Sequence, residues 1–183
     1  MTRVAVLLSG RGSNMQALVE QADGYRVVLV ASDNPDAPGL AWAAARGIPT
    51  FARSPRDGGR QATENAFLDQ FNKHAVQVVA LAGYMRILTP HFIDTMRGTI
   101  VNIHPSLLPR YKGLDTHARA IAAGDALAGC SVHIVTEELD AGDVLGQAEV
   151  PILPGDTPDT LAARVLAEEH RLYPRILSEW IRR

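Results

Sequence analysis

A buried strand and two polar side chains meet in the stretch Thr99-Ile100-Val101-Asn102-Ile103-His104-Pro105-Ser106-Leu107-Leu108-Pro109. Its β-branched and apolar residues predict a strand, which Pro105 ends because proline has no N–H to donate to a ladder. Successive strand side chains point to opposite faces, so Asn102 and His104 share one face at the carboxyl end. An amide and an imidazole in this position can stabilise an oxyanion and move a proton. A buried core histidine beside a turn asparagine is the structural alternative.

A glycine-rich turn near the start of the chain predicts an anion site. The apolar run Val4–Leu8 is typical of a buried parallel strand, and Ser9-Gly10-Arg11-Gly12-Ser13-Asn14 leads from it into a helical pattern. Backbone N–H groups in such a turn, together with the helix dipole, favour phosphate. The turn is not a Walker motif, and Met15 stands at the third glycine position of the dinucleotide fingerprint. Asp33, after the second predicted strand, keeps a nicotinamide-cofactor alternative open, and a turn that binds nothing is the structural one.

The order of the predicted elements indicates an α/β fold. Strands that alternate with helices are expected at Val4–Leu8, Val27–Ala31, Pro49–Ala52, Val76–Ala82 and 99–104. Only a turn separates two later strands, Cys130–Val135 and Val144–Ile152, which predicts an antiparallel pair. The sequence therefore predicts a single-domain, mostly parallel, doubly wound (Rossmann-like) sheet with helices on both faces and an antiparallel strand pair at one end. The last helix, from Asp159, is expected to break at Tyr173-Pro174 before a second helical segment, Ile176–Ile181.

Length and composition limit the classes of protein to consider. A chain of 183 residues with 46% hydrophobic residues is expected to form one domain, residues 1–183. Its net charge of −2 offers no basic field for nucleic acid. No apolar segment approaches the roughly 20 residues that span a bilayer, and the first apolar run is too short for a signal peptide. With Cys130 as the single cysteine, we expect a soluble cytoplasmic protein that has no nucleic-acid or membrane partner.

An acidic turn between the last two predicted strands supplies a carboxylate that could serve the histidine. Asp140 is the candidate, although the pattern alone does not distinguish it from Glu137, Glu138 and Asp143. Ser106 lacks the flanking glycines of a nucleophile elbow, so a serine triad is poorly supported. A metal site is a further alternative, but its donors form no recognised ligand spacing. Those donors would be His104, Asp115, His117, His133 and Asp140.

Four motifs, taken in chain order, resemble a known enzyme family. They are Ser9 to Asn14, Leu81-Ala82-Gly83-Tyr84-Met85-Arg86-Ile87-Leu88, Asn102 to Pro109, and Glu138-Leu139-Asp140-Ala141-Gly142. The third motif is typical of formyl-folate transferases and hydrolases. The first two make the resemblance specific to the phosphoribosylglycinamide formyltransferases of purine biosynthesis. The resemblance implies that the amine of 5'-phosphoribosylglycinamide (glycinamide ribonucleotide) attacks the formyl carbon of the co-substrate 10-formyltetrahydrofolate, and it implies no metal.

The resemblance also implies roles for individual residues. Asn102 and His104 would serve the tetrahedral intermediate and the proton transfers, while Asp140 would set the histidine and help to take the amine proton through water. The nucleotide substrate would bind to Gly12, Ser13, Asn14 and Glu169. The folate would bind to Arg60, Met85, Arg86, Ile87, Leu88 and Asn102, with the loop from Thr136 to Asp140 closing over the pterin.

The chain departs from the family pattern after Pro109. Lys112 and Asp115 stand where some members have proline and histidine, so the role of that second histidine is not carried over, while His117 remains. Two other formyl-folate enzymes are alternatives: a methionyl-tRNA formyltransferase, expected to have a second, basic domain, and a formyltetrahydrofolate hydrolase, in which water replaces the amine. A non-catalytic nucleotide-binding module is an alternative from another class. The sequence leaves the oligomeric state open, with a homodimer as one option.

Overall fold

The computed structural model describes residues 1–183 as a seven-stranded sheet with helices on both faces. The strands are β1 (Thr2–Leu8), β2 (Tyr25–Ser32), β3 (Thr50–Ala52), β4 (Val78–Leu81), β5 (Ile100–His104), β6 (Leu127–Ile134) and β7 (Val144–Pro151). The helices are α1 (Ser13–Glu20), α2 (Pro38–Ala44), α3 (Gly59–Lys73), α4 (Pro90–Thr95), α5 (Thr116–Ala122) and α6 (Pro158–Trp180). The predicted strands are all present, with small shifts at their ends.

The strands lie in the order β3-β2-β1-β4-β5-β6-β7. The first five are parallel, whereas β6 is antiparallel to β5 and β7 is antiparallel to β6. The order reverses between β1 and β4, and loops that leave such a reversal in opposite directions open a crevice at the carboxyl ends of the strands. The predicted fold class, including the antiparallel pair at one end, is confirmed.

Two hydrophobic clusters stabilise the sheet, one on each face. The larger cluster contains Val101 and Ile103 of β5 and is covered by residues of α1, α2 and α6. The smaller cluster contains Ile100 and is covered by Phe67 and Phe92 of α3 and α4. Because strand side chains alternate, Asn102 and His104 lie on the same face as Ile100. The alternation predicted for this strand is confirmed.

The predicted break at Tyr173-Pro174 is wrong, because α6 continues through Pro174 to Trp180. A proline inside a helix removes the hydrogen bond to the carbonyl four residues earlier, here that of His170. Gln21 Nε2 donates to this His170 oxygen over 3.1 Å and so replaces the missing partner. Leu172, Tyr173 and the proline are also buried, and this packing opposes a break.

No helix of the structure, not even the long helix α6, combines the length and the apolar composition needed to cross a bilayer.

Candidate active site

Three loops come together at the carboxyl edge of the parallel strands. The glycine turn follows β1, the segment from Gly83 to Leu88 follows β4, and the loop from Pro105 to Asp115 follows β5. Ser9 N donates to the Gly83 carbonyl over 3.0 Å, so the first two loops are in direct contact. All three loops therefore lie at the same edge of the sheet, because β1, β4 and β5 are parallel.

Asn102 is held by a histidine on the neighbouring antiparallel strand. The register of β5 and β6 places Asn102 directly opposite His133, and Asn102 Nδ2 lies 3.3 Å from His133 Nε2. His133 Nδ1 lies 3.0 Å from the Ile134 carbonyl and must carry its proton to donate there, so Nε2 is free to accept from the amide. Burial lowers the pKa of His133, although the Ile134 carbonyl and Asp140 act in the opposite direction. The imidazole therefore remains neutral and orients the amide.

Sequence reasoning missed His133 as part of this site. It assigned the residue only to the metal alternative or to the core, since nothing in the sequence states which strand β6 joins. The end of β6 gives no such signal, because an antiparallel strand runs in the opposite direction, and only the register with β5 brings His133 opposite Asn102.

His104 and Asp140 lie side by side at the centre of the site. His104 Nδ1 lies 3.5 Å from Asp140 Oδ2, and the two side chains are only 7% and 8% exposed. His104 Nε2 donates to the Tyr111 carbonyl over 2.9 Å, which leaves Nδ1 as the nitrogen that faces the carboxylate. The other oxygen of Asp140 is 3.7 Å from His133 Nε2. One carboxylate thus lies against both imidazoles.

The structure distinguishes Asp140 from the other acids of its turn. Glu137, Glu138 and Asp143 are exposed, and Glu138 pairs with Lys112 at 3.6 Å. Asp140 instead accepts a 2.9 Å hydrogen bond from Gly113 N in addition to facing His104. The turn after β6 and the loop after β5 therefore close on each other over this carboxylate.

Neither Ser106 nor Cys130 is placed as a nucleophile, and the side chains of the metal alternative form no metal site. Ser106 Oγ donates to the Arg110 carbonyl over 2.6 Å, which occupies its proton in a loop contact. Cys130 is fully buried, and burial together with Glu169 raises the pKa of its thiol to about 12. No group of three or more His, Cys, Asp or Glu side chains is arranged to hold a metal ion.

His117 and Asp115 lie beside the site without joining it. Burial, together with the nearby His104, lowers the pKa of His117, and His117 Nδ1 has no hydrogen-bond partner. Asp115 precedes α5 with a φ of 56° and makes no side-chain capping bond. Thr116 Oγ1 donates instead to the Pro105 carbonyl over 2.8 Å, which ties the start of α5 to the loop after β5.

The glycine turn has the geometry of a close backbone approach. Gly12 precedes α1 with a φ of 76°, and a Cβ on it would lie 2.9 Å from Leu8 Cδ2. Two residues later, Asn14 Nδ2 donates to Glu169 Oε2 over 2.8 Å, and both side chains are buried. Burial raises the pKa of Glu169, and the hydrogen bond from Asn14 only partly opposes this. The tertiary structure thus joins two predicted nucleotide-binding residues that are far apart in the sequence.

The predicted folate segment, Met85 to Leu88, contains both exposed and buried apolar side chains. Met85 and Ile87 are 74% and 64% exposed, an unusual state for large apolar side chains, whereas Leu88 is buried in the core. Arg60 Nη1 donates to the Ile87 carbonyl over 3.3 Å, so α3 supports the segment from one side. Thr136 is exposed and its hydroxyl donates to the Glu138 carbonyl over 3.2 Å.

Arg86 and Asp33 hold the folate segment from the other side. Arg86 Nε donates to Asp33 Oδ2 over 2.5 Å, and Ser9 Oγ donates to Asp33 Oδ1 over 2.6 Å. Both carboxylate oxygens are therefore engaged by the protein. The nicotinamide alternative requires this carboxylate for ribose hydroxyls, and these contacts argue against it.

Comparison with known proteins identifies the family of this chain. The family profile described as formyl transferase matches residues 2–177. The phosphoribosylglycinamide formyltransferase of Escherichia coli is 42% identical over 180 residues, which cover 96% of this chain and 85% of that protein. The trifunctional purine biosynthetic protein adenosine-3 of Drosophila melanogaster is 45% identical over 96% of this chain, which spans only 14% of that longer protein.

The fold comparison agrees with the sequence comparison. The crystal structure of phosphoribosylglycinamide formyltransferase from Brucella melitensis has a TM-score of 0.93 and 49% identity, over 98% of this chain and 95% of that chain. Such identity over nearly the full length exceeds what a shared fold alone would give. The chain belongs to the formyl transferase family.

Proposed function

We propose that this chain is a folate-dependent phosphoribosylglycinamide formyltransferase, and that residues 1–183 are its formyltransferase domain. It transfers the formyl group of 10-formyltetrahydrofolate to the primary amine of 5'-phosphoribosylglycinamide. Relatives named for this reaction in Escherichia coli and Brucella melitensis support the proposal. The observation that carries it is the contact of 3.5 Å between His104 Nδ1 and Asp140 Oδ2, beside Asn102 at the carboxyl edge of the sheet.

The reaction needs both a charge stabiliser and a proton acceptor. The amine nitrogen forms a bond to the formyl carbon, and the carbonyl electrons move onto oxygen to give a tetrahedral intermediate. The electrons on oxygen then reform the carbonyl as the bond between that carbon and N10 of the folate breaks. Over the whole reaction the amine nitrogen loses a proton and N10 gains one. No net electron transfer takes place.

Asn102 and His104 are suited to the oxyanion. The Asn102 amide has two N–H groups, of which one donates to His133 and the other is available for the developing charge. Donors that are fixed before the reaction stabilise a transition state without reorganisation, and one such donor contributes roughly 100-fold to 1,000-fold in kcat. His104 adds a positive charge when its ring carries both protons.

Asp140 is suited to the proton transfer. Its carboxylate is held by the Gly113 N–H and lies against His104 Nδ1, so it orients the imidazole. A proton from the amine can reach this carboxylate through one water molecule. The buried position strengthens these electrostatic interactions.

The two substrates are assigned to separate ends of the site. The phosphate binds to the backbone of Gly12, Ser13 and Asn14, where the α1 N-terminus adds partial positive charge. Glu169 can then accept hydrogen bonds from the ribose hydroxyls. The folate lies against the exposed side chains of Met85 and Ile87, with further contacts from a second group of predicted residues: Arg60, Arg86, Leu88, Asn102 and Thr136.

Incubation with 10-formyltetrahydrofolate, with and without 5'-phosphoribosylglycinamide, tests the proposal. We expect the folate to lose its formyl group only when the amine is present. The absorbance of tetrahydrofolate or mass spectrometry measures this loss. Ribose 5-phosphate is the control, since it carries the phosphate but no amine. Loss without any amine would instead indicate the hydrolase, and no loss in either reaction would indicate a binding module.

We also propose a cytoplasmic location, because the single cysteine, Cys130, is buried and unpaired. Such thiols are typical of reducing compartments. A homodimer is the assembly to test first, by light scattering on the purified protein.

A further inference from the structure

Asp33 occupies a position that the proposed reaction does not explain. It follows β2 and is 7% exposed. Carboxylates are rarely buried unless they have hydrogen-bond partners, and Asp33 has two. Ser9 Oγ donates to one oxygen and Arg86 Nε to the other, over 2.6 Å and 2.5 Å. The carboxylate thus connects the ends of β1 and β2 to the loop after β4.

The Ser9 hydroxyl extends this connection to a second residue of the folate segment. It donates its proton to Asp33 and accepts a hydrogen bond of 3.0 Å from Met85 N. Asp33 therefore acts on two successive residues, on the backbone of Met85 through Ser9 and on the side chain of Arg86 directly. Both are residues of the segment that presents Met85 and Ile87 to solvent.

We infer that Asp33 is a positioning residue for the folate co-substrate: it holds the segment from Met85 to Leu88 in its binding conformation through Ser9 and Arg86. The inference rests on the proposed function. In this segment Leu88 is buried, but Met85 and Ile87 are exposed, so hydrogen bonds to neighbouring elements help to hold its conformation. Arg60 supplies one of these from α3, at the Ile87 carbonyl, and Asp33 supplies the others from the opposite side.

Two substitutions separate the two branches of this connection. In Asp33→Asn, the side-chain oxygen can still accept from Ser9, but the amide nitrogen faces the Arg86 guanidinium and the charge-assisted bond is lost. In Ser9→Ala, the Asp33 and Arg86 pair remains, but Met85 N loses its acceptor. Each variant therefore removes the support of one residue of the segment.

Steady-state kinetics on the purified full-length protein test the inference. We expect Asp33→Asn to raise the KM for 10-formyltetrahydrofolate about tenfold, near the lower end of the range for one hydrogen bond to a charged group, and Ser9→Ala to raise it about threefold to tenfold. The KM for 5'-phosphoribosylglycinamide and kcat should stay within about threefold of wild type. Asp94→Asn is the matched control, because Asp94 forms an exposed ion pair with Arg97 on the surface.

The outcomes separate positioning from simple stabilisation. A lower Tm with unchanged KM for the folate in both variants would show a structural role and overturn the inference. An equal rise in KM for the nucleotide would overturn it as well, since the effect would then not be specific to the folate segment. If the wild-type protein transfers no formyl group, the proposed function itself is contradicted. This result is distinct from a failure of the positioning role of Asp33, in which the wild type is active but the variants keep its KM for the folate.

Discussion

The parallel and antiparallel halves of the sheet contribute to the site in different ways. The parallel strands β1 and β4 end in loops whose functional residues are close in the sequence, as in the glycine turn and the segment from Met85 to Leu88. The antiparallel strands β6 and β7 contribute His133 and Asp140, which reach β5 only through strand register and a turn. The predicted binding residues of these two loops thus form local motifs, whereas the proposed catalytic group is assembled from separate elements.

The difference has a physical basis. A phosphate is bound by successive backbone N–H groups, so a short turn and a helix start are sufficient. An oxyanion and a moving proton need an amide, an imidazole and a carboxylate that converge on one point, and neighbouring residues of one strand cannot all do so. Substitutions where β5 meets the antiparallel strand β6 should therefore act on kcat, whereas substitutions in the loops after β1 and β4 should act on KM.

His104→Ala carries the largest expected effect. Removal of an imidazole that acts in the transition state should lower kcat by roughly 100-fold to 1,000-fold, with little change in the KM for either substrate. Steady-state kinetics measure this, and His91→Ala, a variant of an exposed histidine on α4, is the control. A variant that keeps the wild-type kcat would remove His104 from the mechanism and the distinction between the two halves with it.

Gly12→Val should give the next largest effect, and on KM. A side chain here would meet Leu8 Cδ2 at 2.9 Å and would block the approach of phosphate, so the KM for the nucleotide should rise by tenfold or more. Gly124→Val is the control, because Gly124 also has a positive φ, of 69°, but a Cβ there meets nothing within 4 Å. Both variants carry the backbone strain of about 1–2 kcal/mol. An unaltered nucleotide KM, in a Gly12→Ala variant if valine prevents folding, would place the phosphate elsewhere.

Glu169→Gln should give the smallest effect, visible as a pH dependence of stability. Burial raises the pKa of Glu169 above its ordinary 4.5. Its contribution to the free energy of unfolding is therefore fully present below pH 4.5 and is lost as the pH rises through the folded-state pKa. The neutral glutamine avoids this cost and still accepts from Asn14. The Tm of the variant relative to wild type should therefore increase from pH 4.5 to pH 7.5, by about 2–4 °C for each kcal/mol in a chain of this size.

The matched control for this pH dependence is Glu168→Gln, since the Glu168 side chain is 33% exposed and pairs with Arg171 on the surface. A Tm difference that does not vary with pH would show that Glu169 bears no cost of ionisation. The Asn14 and Glu169 pair would then be an ordinary buried hydrogen bond with no energetic cost for its carboxylate.

The sequence predicted the fold well because its strands are continuous apolar runs with clear turn signals between them. It failed at Pro174, where local helix chemistry predicts a break and a distant side chain, Gln21, satisfies the freed carbonyl. It placed Asn102 and His104 on one face of β5 because they are two residues apart on one strand. It did not identify His133 as part of the site, because strand pairing is a long-range property.

By itself, the sequence determined the glycine turn, the alternation of strand β5 and the order of the elements, since each follows from dihedral preferences and side-chain periodicity over a few residues. The family resemblance already implied Asp140, but only the tertiary structure shows that its carboxylate, rather than those of three neighbouring acids, faces His104, and that Asp33 contacts both Ser9 and Arg86. The reason is that a carboxylate acts over a few ångströms, and which groups lie within that distance depends on how strands that are remote in sequence are packed together.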